Sequence, residues 1–455
     1  MLFLSVGFVA LFVICFILYY LVADKYRNLL LLAASAIFAG YASWMFLLVA
    51  AVISLFTYAA GRLIERTDEN RAGYLLFASI GILVITWISF RYATSLIFPL
   101  GMSFYTFQAI GYLVDVYWGE TKAERNIVDF SLFMLFFMKF LSGPIERGAD
   151  MFAELKRPKY FNYDNAVSGM KLIFLGMFKK LLIANHIAPY TEGMFSTIHD
   201  LSGLQLLMTC LIYPIELYAD FSGYTDIAIG GARMFGIRLS PNFNRPFIAT
   251  STADFWRRWH MSLSFWVRDY VYVPLTAELR SFGQWGVLFS LVVTFVALGI
   301  WHGAGWTFAI YGLIQGLIIC YEMKVKFFRN NLPKLVGRPV SNALFILRTY
   351  LLFALSLIFF RVESINDAFY FISHISFHAQ NWKEMNIGMP DHNCVVAGVS
   401  ILLIWIFEYL NAHYDLDKLF KKQPAALRWA CYFILVFMIF LLGKFDTENF
   451  IYIQF

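Results

Sequence analysis

Long apolar runs recur along the chain and restrict what it can fold into. The first run, residues 2–22, holds no charged residue, and a helix of about 20 apolar residues crosses the hydrocarbon core of a bilayer. Charged residues make up only 15% of the chain, against about a quarter in soluble domains. This pattern predicts an all-α, polytopic integral membrane protein. No small-residue cleavage site follows residue 22, so we expect the first run to be retained as a span.

The apolar runs also predict where the membrane helices lie. They occupy residues 2–22, 29–44, 45–61, 74–98, 100–117, 129–143, 168–187, 203–219, 286–300, 303–323, 341–361, 394–411 and 427–443. Several are short or adjoin one another, and we therefore expect about eleven transmembrane helices plus re-entrant and interfacial helices. No period of about 20–50 residues repeats, which argues against a solenoid and against an inverted-repeat transporter. We expect a single membrane domain over residues 1–455.

The loops between these runs differ in charge. Residues 233–268 are rich in arginine, whereas residues 188–203 contain Glu192 and Asp200 but no lysine or arginine. Short loops rich in lysine and arginine stay on the cytoplasmic side of a membrane. The distribution predicts that the basic loops face the cytoplasm and that the N-terminus lies outside. It also accounts for the net charge of +6, so we expect no nucleic-acid partner.

The segment after residue 250 carries the signals of an amphipathic helix. Ser251 and Asp254 have the spacing of a capping box, and Asp254 and Arg258 are spaced for an ion pair on one helix face. An apolar, mostly aromatic stripe follows, made of Trp259, Leu263, Trp266 and Tyr270. We predict a helix that lies at the membrane interface and ends at Pro274. A second surface helix is predicted within residues 145–160.

Two histidines in this part of the chain are the candidate catalytic residues. His302 follows an uncharged apolar run between Trp301 and Trp306, which offer flat walls, and His260 lies on the predicted interfacial helix. An ionisable side chain at membrane depth costs solvation free energy and is by default functional. A desolvated imidazole is neutral and can accept a proton. The alternatives are that His302 only hydrogen-bonds a neighbouring helix and that His260 is a partly solvated structural residue.

Asp220 is a candidate for a polar lining. Glu216 and Asp220 are one helical turn apart at the end of an apolar run. Carboxylates at this depth line a hydrophilic tunnel or pair with arginines, and we favour a structural ion pair with Arg245 or Arg257. The turn-rich connector Pro241–Pro246 is expected to hold this element against the predicted interfacial helix.

Other chemistries lack their motifs. The sequence has no Gly-x-Gly-x-x-Gly or P-loop spacing, which argues against a dinucleotide or ATP site, and no Gly-x-Ser-x-Gly nucleophile elbow. The five cysteines are scattered without a Cys-x-x-Cys pair. No carboxylate stands at metal-ligand spacing from His260 or His302. We therefore expect no disulfide framework, no metal and no bound cofactor.

Several segments form motifs that occur together in one known family. They are Pro99-Leu-Gly-Met-Ser-Phe-Tyr-Thr-Phe107, Ser142-Gly-Pro-Ile-Glu-Arg147, Tyr218-Ala-Asp-Phe-Ser-Gly-Tyr-Thr-Asp226, Asn242-Phe-Asn-Arg-Pro246, Phe255-Trp-Arg-Arg-Trp-His-Met-Ser-Leu-Ser-Phe-Trp266, Arg268-Asp-Tyr-Val-Tyr-Val-Pro274, Trp301-His-Gly-Ala-Gly-Trp306 and the closing Phe450-Ile-Tyr-Ile-Gln-Phe455. On these motifs the chain resembles the membrane-bound O-acyltransferase (MBOAT) superfamily. It is similar to the bacterial branch of AlgI-like polysaccharide O-acetylation proteins and DltB-like D-alanyl transfer proteins, over about residues 95–320 and at its end.

The resemblance implies a fold and a site. The fold is a ring of membrane helices around a thinned centre, where a cytoplasmic funnel meets an external one. His302 is implied as the catalytic residue and His260 as the second active-site histidine. The substrate-binding candidates are Trp301, Trp306, Arg257, Arg258, Arg268, Asp220, Tyr224 and Asn244. The arginines would attract the phosphate of an acyl donor, with a membrane-facing role or an ion pair as the alternative for each.

The implied function is acyl transfer in the bacterial cytoplasmic (inner) membrane. An acyl group, acetyl in the first place, would pass from a cytoplasmic thioester across the membrane for O-acylation of a cell-surface or exported polysaccharide. The donor would be acetyl-CoA or the phosphopantetheine of an acyl carrier protein. The partners would be this donor, membrane lipids and an external SGNH-type O-acetyltransferase or similar surface protein.

Two alternatives stay open. Residues 276–283 lack the glycine- and arginine-rich loop that many AlgI-like chains carry at this place, and in this they are closer to DltB-like chains. D-alanyl or other acyl transfer from a carrier protein to a cell-envelope polymer is therefore one alternative. A non-enzymatic glycan or lipid transporter whose histidines gate protons is the other, although the paired inverted segments expected of it are not found.

Overall fold

The computed structural model describes residues 2–92, 97–378 and 382–445, and the regular secondary structure of those residues is helical. In chain order the α-helices are α1 (Val6–Leu21), α2 (Asp24–Ala42), α3 (Trp44–Arg66), α4 (Glu69–Tyr92), α5 (Met102–Tyr117), α6 (Ile127–Leu135), α7 (Gly148–Lys156), α8 (Tyr163–Phe178), α9 (Asn185–Ser196), α10 (Gly203–Met234), α11 (Thr252–Trp256), α12 (Met261–Val267), α13 (Val273–Glu278), α14 (Gly283–His302), α15 (Trp306–Lys324), α16 (Lys326–Val336), α17 (Arg338–Arg361), α18 (Ile365–His374), α19 (Asp391–His413), α20 (Leu416–Lys421) and α21 (Ala425–Leu442). The closing motif at residues 450–455 lies outside the described residues.

Eight helical stretches in the described part of the chain are long and apolar enough to cross a membrane. They are α3, α4, α10, the run from Met261 to His302 that ends in α14, α15, α17, α19 and α21, and α1 is a shorter apolar helix. Their outward faces fit a lipid environment. On α21, for example, Phe433, Phe437 and Phe440 are more than half exposed, and in water such a patch would associate with other apolar surfaces. The predicted all-α, multi-pass membrane fold is confirmed. The count of about eleven spans stays a prediction.

The first compact unit comprises residues 1–173 and 224–242. Its core is built from aromatic rings, among them Phe8, Phe38 and Phe137, whose centroids lie about 6 Å apart. Two buried charged groups inside it have hydrogen-bond partners. The ammonium group of the buried Lys139 donates to Gln108 Oε1 at 2.6 Å, and the carboxylate of Glu146 accepts from the Ser240 backbone N–H at 2.6 Å.

The second unit comprises residues 174–223 and 243–455 and contains both candidate histidines. In it, α14 and α15 approach so closely that side chains would not fit at their contact. A Cβ on Gly299 would lie 2.2 Å from the Phe308 carbonyl oxygen, and one on Gly312 would lie 2.1 Å from that of Phe295. Glycine at these two positions therefore lets the helices meet backbone to backbone.

One predicted span is not a continuous helix. The run 129–143 starts inside α6, but α6 ends at Leu135 and the chain then turns. The backbone N–H of Phe137 donates to Ser35 Oγ at 3.1 Å, so a side chain supplies an acceptor for this turn. Non-helical backbone at membrane depth is tolerated where protein groups satisfy it. The hydropathy of the run does not reveal the turn, because apolar residues continue past the end of α6 and Phe136 and Phe137 are fully buried in the turn. That residues 1–455 form one ring-shaped domain stays a prediction.

Candidate active site

His302 is the last residue of α14 and is only 6% exposed. Its imidazole lies among aromatic rings. The ring centroids of Trp301, Phe360 and Tyr311 are 4.5, 5.1 and 6.4 Å from that of His302. The close contact of α14 with α15 fixes the helix end that carries this side chain. The result is an imidazole held in an aromatic, largely dehydrated setting.

His260 lies at a break in the backbone. Its φ and ψ are 43° and 54°, in the left-handed region, and it separates α11 from α12. A non-glycine residue in this region costs about 1–2 kcal/mol, and such strain concentrates at functional sites. His260 is 1% exposed. Residues on both sides of His260, such as Trp259 and Leu263, are also buried in the protein.

The predicted continuous interfacial helix is therefore wrong. Its start is confirmed, because Ser251 Oγ accepts from the Asp254 N–H at 3.1 Å and Arg258 pairs with Asp254 at 3.0 Å. The helix nevertheless ends at Trp256. Pro274 does not terminate a helix but lies in the first turn of α13, which continues directly from the π-helical segment Arg268–Tyr272. Of the predicted stripe, Trp259, Leu263 and Trp266 are covered by protein, at 3%, 1% and 6% exposure.

Both histidines line one small cavity inside the second unit. Its volume is about 10 Å³, roughly the room that a single water needs. The lining consists of Leu217, Trp256, Trp259, His260, Leu263, His302, Tyr311, Phe353, Leu357 and Phe360. Apart from the two imidazoles and the edges of the Trp and Tyr rings, this lining is apolar. The fold thus brings together two histidines that are 42 positions apart in the sequence, with space between them for one small group.

The N-terminus of α11 is fixed by a buried carboxylate. Glu322 on α15 is 3% exposed and accepts from the Thr252 backbone N–H at 2.9 and 3.0 Å. It also accepts from the Thr252 hydroxyl at 3.2 Å and from Arg348 on α17 at 2.7 Å. Charge-assisted hydrogen bonds of this kind are stronger than neutral ones. Glu322 therefore ties the helix before His260 to two membrane helices.

A second polar bridge holds the other end of α11. The indole N–H of Trp256 donates to Gln315 Oε1 at 3.0 Å, and Gln315 Nε2 donates to Ser356 Oγ at 2.7 Å. Gln315 and Ser356 are each 1% exposed. Sequence reasoning missed Gln315, Glu322 and Arg348. The signal was present, because polar and ionisable residues inside apolar runs are expected to have a specific partner or function.

Asp220 forms an ion pair, but with another partner than predicted. Its carboxylate lies 2.5 Å from the ammonium group of Lys180, and both side chains are buried. The predicted partners, Arg245 and Arg257, were wrong. Lys180 belongs to a π-helical segment, Lys179–Ala184, that precedes α9, and the widened turn of such segments could not be read from the sequence. The neighbouring Phe221 ring lies 4.7 Å from the His260 ring, so the α10 residues next to this ion pair touch the site.

The predicted role of the connector Pro241–Pro246 is confirmed. The backbone N–H of Asn244 donates to the Arg258 carbonyl at 2.9 Å. The Phe243 ring lies 5.0 Å from Phe221 on α10 and 5.2 Å from Trp259. The connector therefore packs between α10 and the segment that carries His260.

The eight predicted substrate-binding residues do not belong to the lining of the histidine cavity. Trp301 contacts His302, and Asp220 and Asn244 lie next to the site as described above. Trp306 is 79% exposed at the start of α15, and Tyr224 belongs to the first unit, where its ring lies 5.6 Å from Phe3. Arg257 is exposed, and Arg268 pairs with Asp269 at 2.6 Å with about half of its side chain exposed. Their roles in binding stay predictions. Within the described ranges, no cluster of three metal-ligating side chains is present.

Comparison with known proteins identifies the family. The family model for the membrane-bound O-acyltransferases matches residues 123–362, more than half of the chain. The chain belongs to the membrane-bound O-acyltransferase family. It is therefore an acyltransferase, and the transporter alternative is set aside.

Similar MBOAT proteins fall into groups with different named activities. A probable alginate O-acetylase AlgI of Azotobacter vinelandii is 35% identical over 398 residues, covering 81% of this chain and 76% of the relative. A peptidoglycan O-acetyltransferase of Helicobacter pylori is 32% identical over 418 residues, covering 80% and 76%. A teichoic acid D-alanyltransferase of Bacillus subtilis is 32% identical over 241 residues, which cover 51% of this chain and 61% of the relative. The similarity to the O-acetylating proteins thus extends over more of the chain.

Proposed function

We propose that this MBOAT protein moves acetyl groups from a cytoplasmic thioester through the membrane for the O-acetylation of an exported or cell-surface polysaccharide. The observation that carries the proposal is the shared cavity of His260 and His302 in a chain that is 35% identical over 81% of its length to a probable alginate O-acetylase. Acetyl-CoA is the proposed donor, and the bacterial cytoplasmic membrane is the proposed location.

The cavity suggests how the two histidines divide the work. An acceptor hydroxyl attacks the carbonyl carbon of the thioester while His302 takes its proton. The new C–O bond forms, the C–S bond breaks, and the departing thiolate takes a proton from the His302 imidazolium, so that the enzyme returns to its starting state. His260, which lines the same cavity, holds the thioester carbonyl or the attacking group in place. Dry aromatic walls strengthen these polar contacts, because few water molecules compete for them.

The arginines near the site are proposed to attract the donor. Arg257 and Arg268 are largely exposed and lie on segments that the charge distribution predicts to face the cytoplasm. A phosphate-bearing donor would be drawn to such a surface before its acyl end enters the protein. Arg258 is a weaker candidate, because its guanidinium already pairs with Asp254. With this orientation the N-terminus lies outside, and an external SGNH-type transferase would receive the acetyl group.

Replacement of His302 tests the proposal. We expect His302→Ala to abolish the acetyl esters of the exported polysaccharide while the protein still inserts and accumulates in the membrane. The matched control is His413→Ala, because that side chain is exposed at the end of α19. Acetylation and labelled acetyl-CoA consumption are measured in cells and in purified membranes. Near-normal acetylation by His302→Ala would contradict the proposal.

A second candidate function is D-alanyl transfer from a carrier protein. It is favoured by the similarity to a teichoic acid D-alanyltransferase over 51% of the chain. Purified protein is offered labelled acetyl-CoA or a carrier protein loaded with labelled D-alanine, and release or transfer of the label is followed for each. Turnover with the D-alanyl carrier alone would replace acetyl transfer as the proposed reaction.

A further inference from the structure

A basic cavity lies in the first unit, which contains neither candidate histidine. Its volume is about 450 Å³. It is formed by the end of α1, the first turns of α2, the start of α6 and the end of α7 with the residues after it. A cavity of this size accommodates a small organic group with several heavy atoms.

Positive charge dominates the lining. Five cationic side chains contribute to it: Lys25, Arg27, Lys156, Arg157 and Lys159. Two carboxylates, Asp24 and Asp129, also line it. The N-terminus of α2 opens onto the same space and has no side-chain cap from Ala23, so the positive end of that helix dipole adds to the field. The lining therefore favours an anion.

The nearby carboxylates already have partners. Asp24 pairs with Arg27 at 3.0 Å, and Asp129 accepts from Asn28 Nδ2 at 2.8 Å. Glu124, just outside the lining, pairs with Lys156 at 2.5 Å. Burial raises the pKa of Glu124, but hydrogen bonds from Lys156 and the Asn126 N–H outweigh this and hold that pKa below its usual range. Lys156 thus faces an ionised carboxylate.

Three cations are less well matched. The Lys25 ammonium lies 4.8 Å over the Tyr26 ring, and its described contacts include no carboxylate. Lys159 donates to the carbonyl oxygens of Glu154 and Arg157, which satisfy its N–H groups without cancelling its charge. Arg157 reaches Glu154 only at 3.4 Å, with about half of its side chain exposed. These three groups leave positive charge for a bound anion.

The surface beside the cavity is apolar and aromatic. Tyr26, Tyr160 and Phe161 are more than half exposed, as aromatic residues at a membrane–water boundary are. Along α1 an exposed stripe with a spacing of four residues leads to this end of the helix: Val9, Val13, Ile17 and Leu21. The stripe is about 18 Å long at 1.5 Å per residue, close to the thickness of one bilayer leaflet. A polar cavity at the end of a leaflet-length apolar stripe matches an amphiphile rather than a soluble anion.

We propose that this cavity binds the phosphate headgroup of an anionic phospholipid, whose acyl chains lie along α1. Basic pockets between membrane helices at the cytoplasmic surface suit such headgroups, and the charge distribution predicts that these loops face the cytoplasm. The proposal is independent of the acyl-transfer reaction.

Lipid binding to two variants tests the proposal. Phosphatidylglycerol or phosphatidylcholine is titrated into the purified full-length protein in neutral detergent, and bound lipid is followed by native mass spectrometry. The test variant combines Lys25→Gln with Arg157→Gln, and both of these residues are exposed. The control combines Arg71→Gln with Lys421→Gln, which removes the same charge from exposed ion pairs elsewhere.

The wild type is expected to retain phosphatidylglycerol in preference to phosphatidylcholine. Each removed cation is expected to weaken phosphatidylglycerol binding about fivefold, and the pair about 25-fold, while the control variant binds like the wild type. Equal binding of the two lipids, or an equal loss in test and control variants, would overturn the proposal. Coenzyme A and inorganic phosphate are added as competitors. Displacement of the lipid by either at matched concentration would overturn the assignment to a lipid, because a soluble phosphate would then fill the cavity.

Discussion

Loss of the Glu322 charge should disturb both the stability and the activity of this protein. Three donor groups from two residues converge on this buried carboxylate: the Thr252 N–H, the Thr252 hydroxyl and the Arg348 guanidinium. Glu322→Gln keeps the shape of the side chain but has a single acceptor oxygen. Its amide group must therefore face the donors of one of these two residues.

The cost follows from these contacts. A buried donor that is left without an acceptor lowers the free energy of unfolding by about 1–3 kcal/mol. Removing one partner of a buried ion pair costs about 3–5 kcal/mol, and the 29% exposure of the Arg348 side chain reduces that figure. We expect Glu322→Gln to destabilise the protein by about 2–4 kcal/mol. In an Arg348→Gln background the same change is expected to cost only about 1 kcal/mol, because the ion pair is already absent.

The effect should reach the active site, because Glu322 anchors α11 and His260 lies four residues beyond the end of that helix. A displacement of about 1 Å at a catalytic group can lower the rate by about 10²-fold. Heat stability is measured as the fraction of monodisperse protein after heating, and acetyl transfer is measured as kcat and KM. Additive stability effects in the double variant, together with an unchanged kcat for Glu322→Gln, would refute the reasoning.

Two further substitutions test how the site is held. Gly299→Ala places a Cβ 2.2 Å from the Phe308 carbonyl oxygen and is expected to lower the free energy of unfolding by about 1–3 kcal/mol. The control, Gly398→Ala, adds a Cβ in open space on α19 and is expected to leave heat stability unchanged or slightly higher. Equal stability of the two variants would contradict the close helix contact. Asp220→Asn leaves the buried Lys180 ammonium without this carboxylate and is expected to lower the free energy of unfolding by about 3–5 kcal/mol. Replacing both partners, in the double variant Lys180→Met with Asp220→Leu, is expected to recover most of this loss. The same heat-stability assay checks this cycle, and a double variant no more stable than Asp220→Asn would show that the ion pair does not control stability.

Features that depend on residues close together in the sequence could be predicted, whereas features that depend on residues far apart in the sequence could not. The Ser251 cap and the Arg258–Asp254 pair depend on residues three and four positions apart, and the structure has both. The break at His260 depends on distant groups, since Glu322 and Gln315 fix α11 through contacts across 70 and 59 positions of sequence, respectively. A helical periodicity continues through such a break, so the pattern alone predicts one helix where the fold makes two.

The partner of Asp220 illustrates the same limit. The sequence places Glu216 and Asp220 on one helical face and predicts that a carboxylate at this depth needs a cation. It does not say which one, because arginines nearby in sequence and lysines further away satisfy the charge equally well. The packing of the helices determines that the partner is Lys180, because its π-helical segment brings the ammonium group to 2.5 Å from the Asp220 carboxylate.

The sequence by itself determined the helical membrane fold and pointed to His302 and His260. Hydropathy over about 20 residues reflects the thickness of a bilayer, and an imidazole among apolar residues is conspicuous without any coordinates. Only the tertiary structure decided that the two imidazoles share one small cavity, that Glu322 and Gln315 hold the segment of His260, and that five cations surround a separate cavity. These arrangements join residues that are distant along the chain, and their positions are set by how whole helices pack against one another.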